Sequence, residues 1–216
     1  RNGSQFPAYG SIVAGGRNAC VLHYRGNVAR LVDGELLLID AGCELDGYAS
    51  DITRTFPVNG RFSGAQRTLY EIVLEAQSAA IDATRPGARF SDPHAAAVRV
   101  LAQGMIDCGL IAGSVDGAIE SGSYKRFYMH RTGHWLGMDV HDAGEYKLKG
   151  AWRPLLPGMT LTVEPGLYIR PADDVPEAFR NIGIRIEDDV VVTEMGCEVL
   201  TTPPKTVAEI EAWMKE

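Results

Sequence analysis

Glu35-Leu36-Leu37-Leu38-Ile39-Asp40-Ala41 and Tyr48-Ala49-Ser50-Asp51-Ile52-Thr53-Arg54-Thr55-Phe56-Pro57-Val58 are runs of strand-forming residues separated by Glu44-Leu45-Asp46-Gly47, a segment with turn chemistry. The pattern predicts a β-hairpin. With the turn centred on Leu45-Asp46, Asp40 stands directly across from Asp51. Slipping the register by two residues keeps both on one face, because strand side chains alternate with period two. An ionised carboxylate in an apolar strand is costly without a partner, and two that face each other repel. The hairpin alone leaves two readings open: a cation between the carboxylates, or a polar edge hairpin with both in water.

Downstream, Ser63 and Gln66 have capping-box spacing, and Leu69, Ile72, Val73, Ala76 and Ala80 recur at helical intervals until Pro86-Gly87. A second helix is expected after Ser91, with Val98, Leu101, Ala102, Met105 and Ile106 as its buried stripe before Gly109. From Tyr124 the pattern turns strand-like, at residues 127–130, 136–141, 160–164 and 182–193. A terminal helix is expected from Thr206, capped with Glu209, with Ile210 and Trp213 on its apolar side. Strands around a helix pair indicate an α+β fold. No linker or short repeat divides the chain, so residues 1–216 are expected to form one domain.

The composition excludes several function classes. With 45% hydrophobic and 23% charged residues, the 216-residue chain has the balance of an ordinary folded protein, not of a disordered or coiled-coil one. Twenty-one Lys and Arg against 28 Asp and Glu give a net charge of −7 with no basic run, which argues against a nucleic-acid partner. The longest apolar stretches fall far short of the about 20 residues of a bilayer span, so no membrane partner is expected. No secretory leader is visible. Cys20, Cys43, Cys108 and Cys197 are scattered without a CxxC pair, as expected of reduced thiols in a cytoplasmic protein. The chain opens on Arg1 with no initiator Met, as a processed product or a piece of a longer polypeptide would.

More polar residues sit in strand patterns. In Thr160-Leu161-Thr162-Val163-Glu164 the threonines and Glu164 share one face. In Ile182-Gly183-Ile184-Arg185-Ile186-Glu187 the isoleucines alternate with a wet or functional side carrying Arg185 and Glu187. Each segment taken singly is as well explained by solvated surface or a structural ion pair. Three of the five histidines, His130, His134 and His141, fall within 12 residues. His130 and His134 have the i, i+4 spacing of a helical zinc pair, but Arg131 occupies the second position and Thr132-Gly133 is poor helix material. A set of Asp40, Asp51, Glu164, Glu187 and one His would suit hard or borderline divalent ions, and four carboxylates balance two such ions.

Five segments then carry a resemblance: Leu38-Ile39-Asp40-Ala41-Gly42-Cys43, Asp51-Ile52-Thr53-Arg54-Thr55-Phe56-Pro57, His134-Trp135-Leu136-Gly137 through Val140-His141-Asp142, Thr162-Val163-Glu164-Pro165-Gly166-Leu167-Tyr168, and Gly183-Ile184-Arg185-Ile186-Glu187-Asp188. In that order they resemble the catalytic domain of the Xaa-Pro aminopeptidases. These belong to the pita-bread metallopeptidases, together with prolidase and methionine aminopeptidase. The resemblance implies a pita-bread fold, here expected to lack its N-terminal helix and strand elements and an upstream domain. It implies that the chain is a C-terminal fragment, or a truncated homologue, of a protein expected to be homo-oligomeric at full length. It also implies metal ligands at Asp40, Asp51, His134, Glu164 and Glu187, with Asp51 and Glu187 bridging two divalent ions, Mn foremost and Co, Fe or Zn as alternatives. A hydroxide bridging the ions would cleave the bond between an N-terminal residue and a following proline. Glu164 would shuttle the proton, with His141, His130 and Arg185 as further catalytic residues. His23, His130, His141 and Tyr168 would bind the peptide. Prolidase, which takes only dipeptides, is the alternative enzyme, and a metal-free peptide-binding module is the alternative of another class.

Overall fold

The hairpin forms, one residue further along than the sequence suggests. A computed structural model of the chain describes residues 3–215. In it β1 (Phe6–Pro7), β2 (Ile12–Gly15), β3 (Leu36–Asp40), β4 (Cys43–Leu45), β5 (Tyr48–Ala49) and β6 (Thr53–Pro57) precede the helices. The turn is made by Asp46 and Gly47, both with positive φ (52° and 85°), a conformation Gly adopts freely and Asp tolerates. Asp40 therefore pairs with Thr53, not Asp51. The two-residue slip leaves both carboxylates on one face, as the period-two argument requires. β3 is the central strand of β2-β3-β6, and all its pairings are antiparallel.

Both long helices lie where the periodicity puts them. α1 (Gly64–Ala83) starts with the Ser63/Gln66 capping box, and Leu69, Tyr70, Val73, Ala76 and Ala80 are buried. α2 (Asp92–Asp107) packs along α1. Ser91 stands at its N-cap but makes no side-chain cap; Pro93 in the first turn and Asp92 at the N-terminal dipole suit that end instead. A short α3 (Val115–Ser121), which the sequence reading missed, packs on α2.

After a small hairpin of β7 (Lys147–Leu148) and β8 (Ala151–Trp152) come β9 (Thr160–Val163), β10 (Gly166–Ile169), β11 (Ile182–Arg185), β12 (Asp188–Val192) and β13 (Cys197–Val199). β9 pairs with β12 and β10 with β11, antiparallel and in one continuous register. The predicted strand over 182–193 is thus interrupted at Ile186-Glu187. Residues 127–130 and 136–141 are not strands. α4 (Val207–Trp213) opens with the Thr206/Glu209 capping box, but its inward residues are Val207 and Ile210, while Trp213 is exposed.

Alternation along β9 decides where the site sits. Leu161 and Val163 enter the main core with Leu69, Val73, Leu101 and Ile184. Each fully buried Leu, Ile or Val there contributes about 1.5–3 kcal/mol. Thr162 and Glu164 point the other way, so α1 and α2 form a rigid backing for a polar concave face. The four cysteines are free thiols, remote from one another in sequence.

Candidate metal centre

The continuous register of β9-β10 against β11-β12 has one consequence for the polar face: Glu164 stands opposite Glu187 where both strands break. The breaks are held by one bond from outside the pair and one between them. Glu187 N–H donates to Thr53 O at 3.0 Å, and Ile186 N–H to Pro165 O at 3.3 Å. Thr53 Oγ1 donates to Glu187 Oε2 at 2.6 Å. The hairpin carrying Asp40 and Asp51 is thereby sewn to the strand ends carrying Glu164 and Glu187.

His134 arrives by a different route. Thr162 N–H donates to His134 O (3.0 Å) and Glu164 N–H to Thr132 O (2.7 Å), so the segment from Thr132 to His134 runs along β9 as an irregular extra strand. Gly133 permits the approach, since a Cβ there would come within 2.0 Å of Thr162 O. Below it, Thr132 Oγ1 is held by the Tyr128 hydroxyl (2.6 Å) and His94 Nδ1 (2.8 Å). His94 is one of the five histidines, and its place is in this support rather than in the cleft.

The result is one cleft of about 690 Å³, whose lining includes Asp40, Asp51, Glu164, Glu187, His134 and Arg185. Ligand atoms of Asp51, His134 and Glu187 lie within 4.8 Å of one another. His134 Nε2 is 3.3 Å from Asp51 Oδ2 and 3.8 Å from Glu164 Oε1. Its Nδ1 faces Trp135 O at 3.0 Å, which leaves Nε2 directed at the carboxylates, the arrangement a metal-ligating imidazole needs. Asp40 completes the group from the side, with Oδ2 accepting from the Arg185 guanidinium at 2.6 Å.

His23, His130 and His141 line the same cleft. The His141 ring packs edge-on to His134, centroids 4.3 Å apart. His130 Nδ1 lies 3.8 Å from Glu164 Oε2 and 2.7 Å from Arg131 O, and its Nε2 meets the Tyr168 hydroxyl at 2.8 Å. Tyr168 is fully buried and stands behind the cleft wall, where Arg185 Nη1 donates to its hydroxyl at 3.1 Å. Arg185, expected on a wet or functional side, is buried and bonded to Asp40, Thr53 and Tyr168.

Two residues escaped the sequence reading. Tyr9 places its hydroxyl between Asp40 Oδ1 and Asp51 Oδ1; no pattern in its exposed surroundings marks it. Asp189 accepts from Asp51 N–H at 3.1 Å, and its other oxygen is buried with no partner among the described residues. Three consecutive acids, Glu187 to Asp189, in a buried apolar strand were the available signal.

The electrostatics show what this donor set requires. Burial drives the Glu164 carboxyl up to about 7, against the pull of His134 and Arg185. Burial and the neighbouring Asp51 and Glu164 raise Glu187 well above the carboxylate range. Asp40 is raised by burial despite Arg185, and Asp189 is pushed by burial to about 7. Burial opposes the charge on His134, yet the hydrogen bond to Asp51 and the Glu164 carboxylate outweigh it and raise its pKa. Oxygen-rich donors that must hold protons when no cation is bound fit divalent ions.

The profile of metallopeptidase family M24 matches residues 1–194. The chain belongs to this family. Among its relatives, the M24 chain is 52% identical to the Xaa-Pro aminopeptidase of Haemophilus influenzae over 215 residues, 99% of this chain and 50% of that protein. It is 51% identical to the Xaa-Pro aminopeptidase of Escherichia coli over 215 residues, 99% of this chain and 48% of that protein. Of the solved structures, Pseudomonas aeruginosa aminopeptidase PepP is similar with a TM-score of 0.97 and 62% identity, over 99% of this chain and 49% of that one. Escherichia coli aminopeptidase P with the inhibitor Pro-Leu gives a TM-score of 0.96 and 50% identity, over 100% and 49%. The M24 chain therefore has the α+β pita-bread fold and spans about half the length of the curated relatives it matches. Membership implies divalent metal ions, and the Asp51, His134 and Glu187 donors fit them. Among the described residues, no helix is long and apolar enough to cross a membrane.

A pH prediction follows. Folded-state pKa values raised above about 4.3 mean that Glu164 and Glu187 stabilise the metal-free fold below that pH. The contribution is lost as pH rises, for Glu164 through about 7. Bound ions need the deprotonated carboxylates, so their effect has the opposite sign. The rise in Tm on adding Mn should grow between pH 5 and 8, and loading at pH 7 should release protons into a weak buffer. Scanning calorimetry and proton-uptake titration check this; an ion-induced rise that is flat with pH contradicts it.

Proposed function

We propose that the protein to which this chain belongs releases an N-terminal residue from peptides with proline in second position, using two divalent ions, Mn foremost. The observation that carries this reading is the convergence of Asp51, His134 and Glu187, with ligand atoms within 4.8 Å, inside a cleft that Glu164 and Asp40 also line. In this reading Asp40, Asp51, His134, Glu164 and Glu187 hold the ions, and residues 1–216 supply the catalytic domain. When bound, such a pair lowers the pKa of water and polarises a carbonyl.

The chain's own residues do the rest. Glu164, beside His134 in the cleft, takes the proton from the attacking water and passes it to the proline nitrogen as the C–N bond breaks. Burial lowers His130 to about 3, so it serves as a neutral ring. With Nδ1–H donated to Arg131 O, its Nε2 accepts from Tyr168, and Arg185 Nη1 donates in turn to Tyr168. That chain of hydrogen bonds holds the His130 ring still, so that His130, His23 and His141 present fixed walls to the proline ring. A tertiary imide has no N–H to anchor and a restricted φ, so selection by shape is the available route.

The test is hydrolysis of Xaa-Pro-Yaa and Xaa-Pro by the full-length protein. Mn-dependent release of Xaa from the tripeptide, abolished by chelator, is the expected result. Cleavage of the dipeptide alone would make the protein a prolidase, and no turnover of either peptide with Mn bound would overturn the peptidase reading.

A further inference from the structure

The cleft carries charge of both signs, segregated. Its carboxylates cluster around His134, and Arg185 is consumed by Asp40, Thr53 and Tyr168. Two other cations line the cleft, Arg131 and Lys147, and among the described residues neither has a carboxylate within 4 Å. Both lie against one indole. Arg131 Cζ is 4.9 Å and Lys147 Nζ 4.5 Å from the centre of the Trp152 ring.

That indole is well anchored. Lys147 and Trp152 are cross-strand partners in the β7-β8 hairpin. Trp152 stacks on Phe90 (centroids 6.3 Å), and Phe90 meets Trp135 at 4.6 Å, so an aromatic wall leads to the residue next to His134. Arg131 is fixed at its root by the contact of its carbonyl with His130 Nδ1. Cation–π contacts at exposed sites are weak, about 0.5–1 kcal/mol, yet they restrict two long side chains that would otherwise lose that freedom when a ligand binds.

We infer, on the peptidase reading above, that Arg131 and Lys147, each packed over the Trp152 ring, form a specificity-determining subsite for a carboxylate on the residue that follows proline. A peptide whose amino end is engaged at the candidate metal centre presents its distal carboxylate to these cations, which line the same cleft. The shared chemistry is a carboxylate; its source is either the terminal carboxyl of a tripeptide or an acidic side chain in a longer peptide.

Two pairs of peptides separate the sources, tested on the full-length Mn-loaded protein. Ala-Pro-Gly against its C-terminal amide reads the terminal carboxyl. Ala-Pro-Glu-amide against Ala-Pro-Gln-amide reads the side chain. In at least one pair the acid form should have a KM roughly fivefold lower, with similar kcat, as suits exposed ion pairs. The preference should fade as salt is raised toward 1 M. In Lys147→Glu, a change at an exposed position, the KM ratio should fall to about one or invert. Equal KM values within both pairs, or a preference that survives Lys147→Glu combined with Arg131→Gln, would overturn the inference. Failure of the peptidase reading looks different: neither peptide is turned over. Calorimetric binding of the acid and amide forms then still decides the subsite, equal Kd values overturning it and tighter binding of the acid supporting it.

Discussion

Glu187→Ala should leave a folded protein that retains fewer than two ions per chain and has lost activity by a factor of about 10⁴ or more. Glu187 is nearly inaccessible (2% exposed), faces Glu164 across the strand break, and supplies one of the three donor groups that converge within 4.8 Å. No neighbour can take its place, because Asp40 is bonded to Arg185 and Asp189 is turned to the Asp51 backbone. Misfolding is not the expected cause. In the metal-free state burial opposes ionisation of this carboxyl, so Ala removes a group that the fold must otherwise keep protonated. Glu187→Gln, which keeps the acceptor for Thr53 Oγ1, should share the loss of metal and activity while matching the wild-type near-UV spectrum. Elemental analysis and kcat/KM on the same samples check the outcome; unchanged metal content and rate would contradict the assignment.

Glu164→Gln should lower kcat by about 10²–10⁴, the range that general acid–base catalysis supplies. The same change should act on stability with a sign that depends on pH. The folded pKa of about 7 exceeds the unfolded value, so an ionised Glu164 burdens the metal-free fold at high pH and a protonated one does not at low pH. The metal-free variant should match wild type near pH 5 and be more stable near pH 8, by on the order of 3 kcal/mol. Urea denaturation at the two pH values reads this directly. Equal stability differences at both would remove the case that Glu164 is a strained, proton-holding carboxylate.

Much of this site was visible in the primary structure because ionisable residues in apolar, alternating strands need an explanation. Asp40, Asp51 and Glu187 each interrupt such a pattern, and the structure buries all three. That Asp40 and Asp51 share one face of the hairpin survived an error in the turn, since a slip of two residues preserves facing. His134 was harder to place: the segment around it has no strand periodicity, and it becomes strand-like only by borrowing hydrogen bonds from Thr162 and Glu164. Tyr9 was invisible, because its hydroxyl meets acids 31 and 42 residues away. Trp213 was misassigned since α4 is short and its buried side is set by where it meets the body of the protein, not by its own hydrophobicity.

The assignment of five residues as metal ligands, with His134 as the histidine among them, rested on the family resemblance. The amino-acid sequence by itself determined the two long helices and the terminal one, with the capping boxes at Ser63 and Thr206, the hairpin, and the placing of four carboxylates in strand patterns. These follow from local rules: a period of 3.6 or 2, a hydroxyl three residues before its partner, an acid where an apolar residue belongs. Only the tertiary structure decided that Glu164 faces Glu187, that Gly133 lets His134 approach β9, and that Arg185 is spent on Asp40 rather than free for a ligand. The reason is that a break in a strand leaves backbone N–H and C=O groups which must find partners, and those partners come from segments distant along the chain.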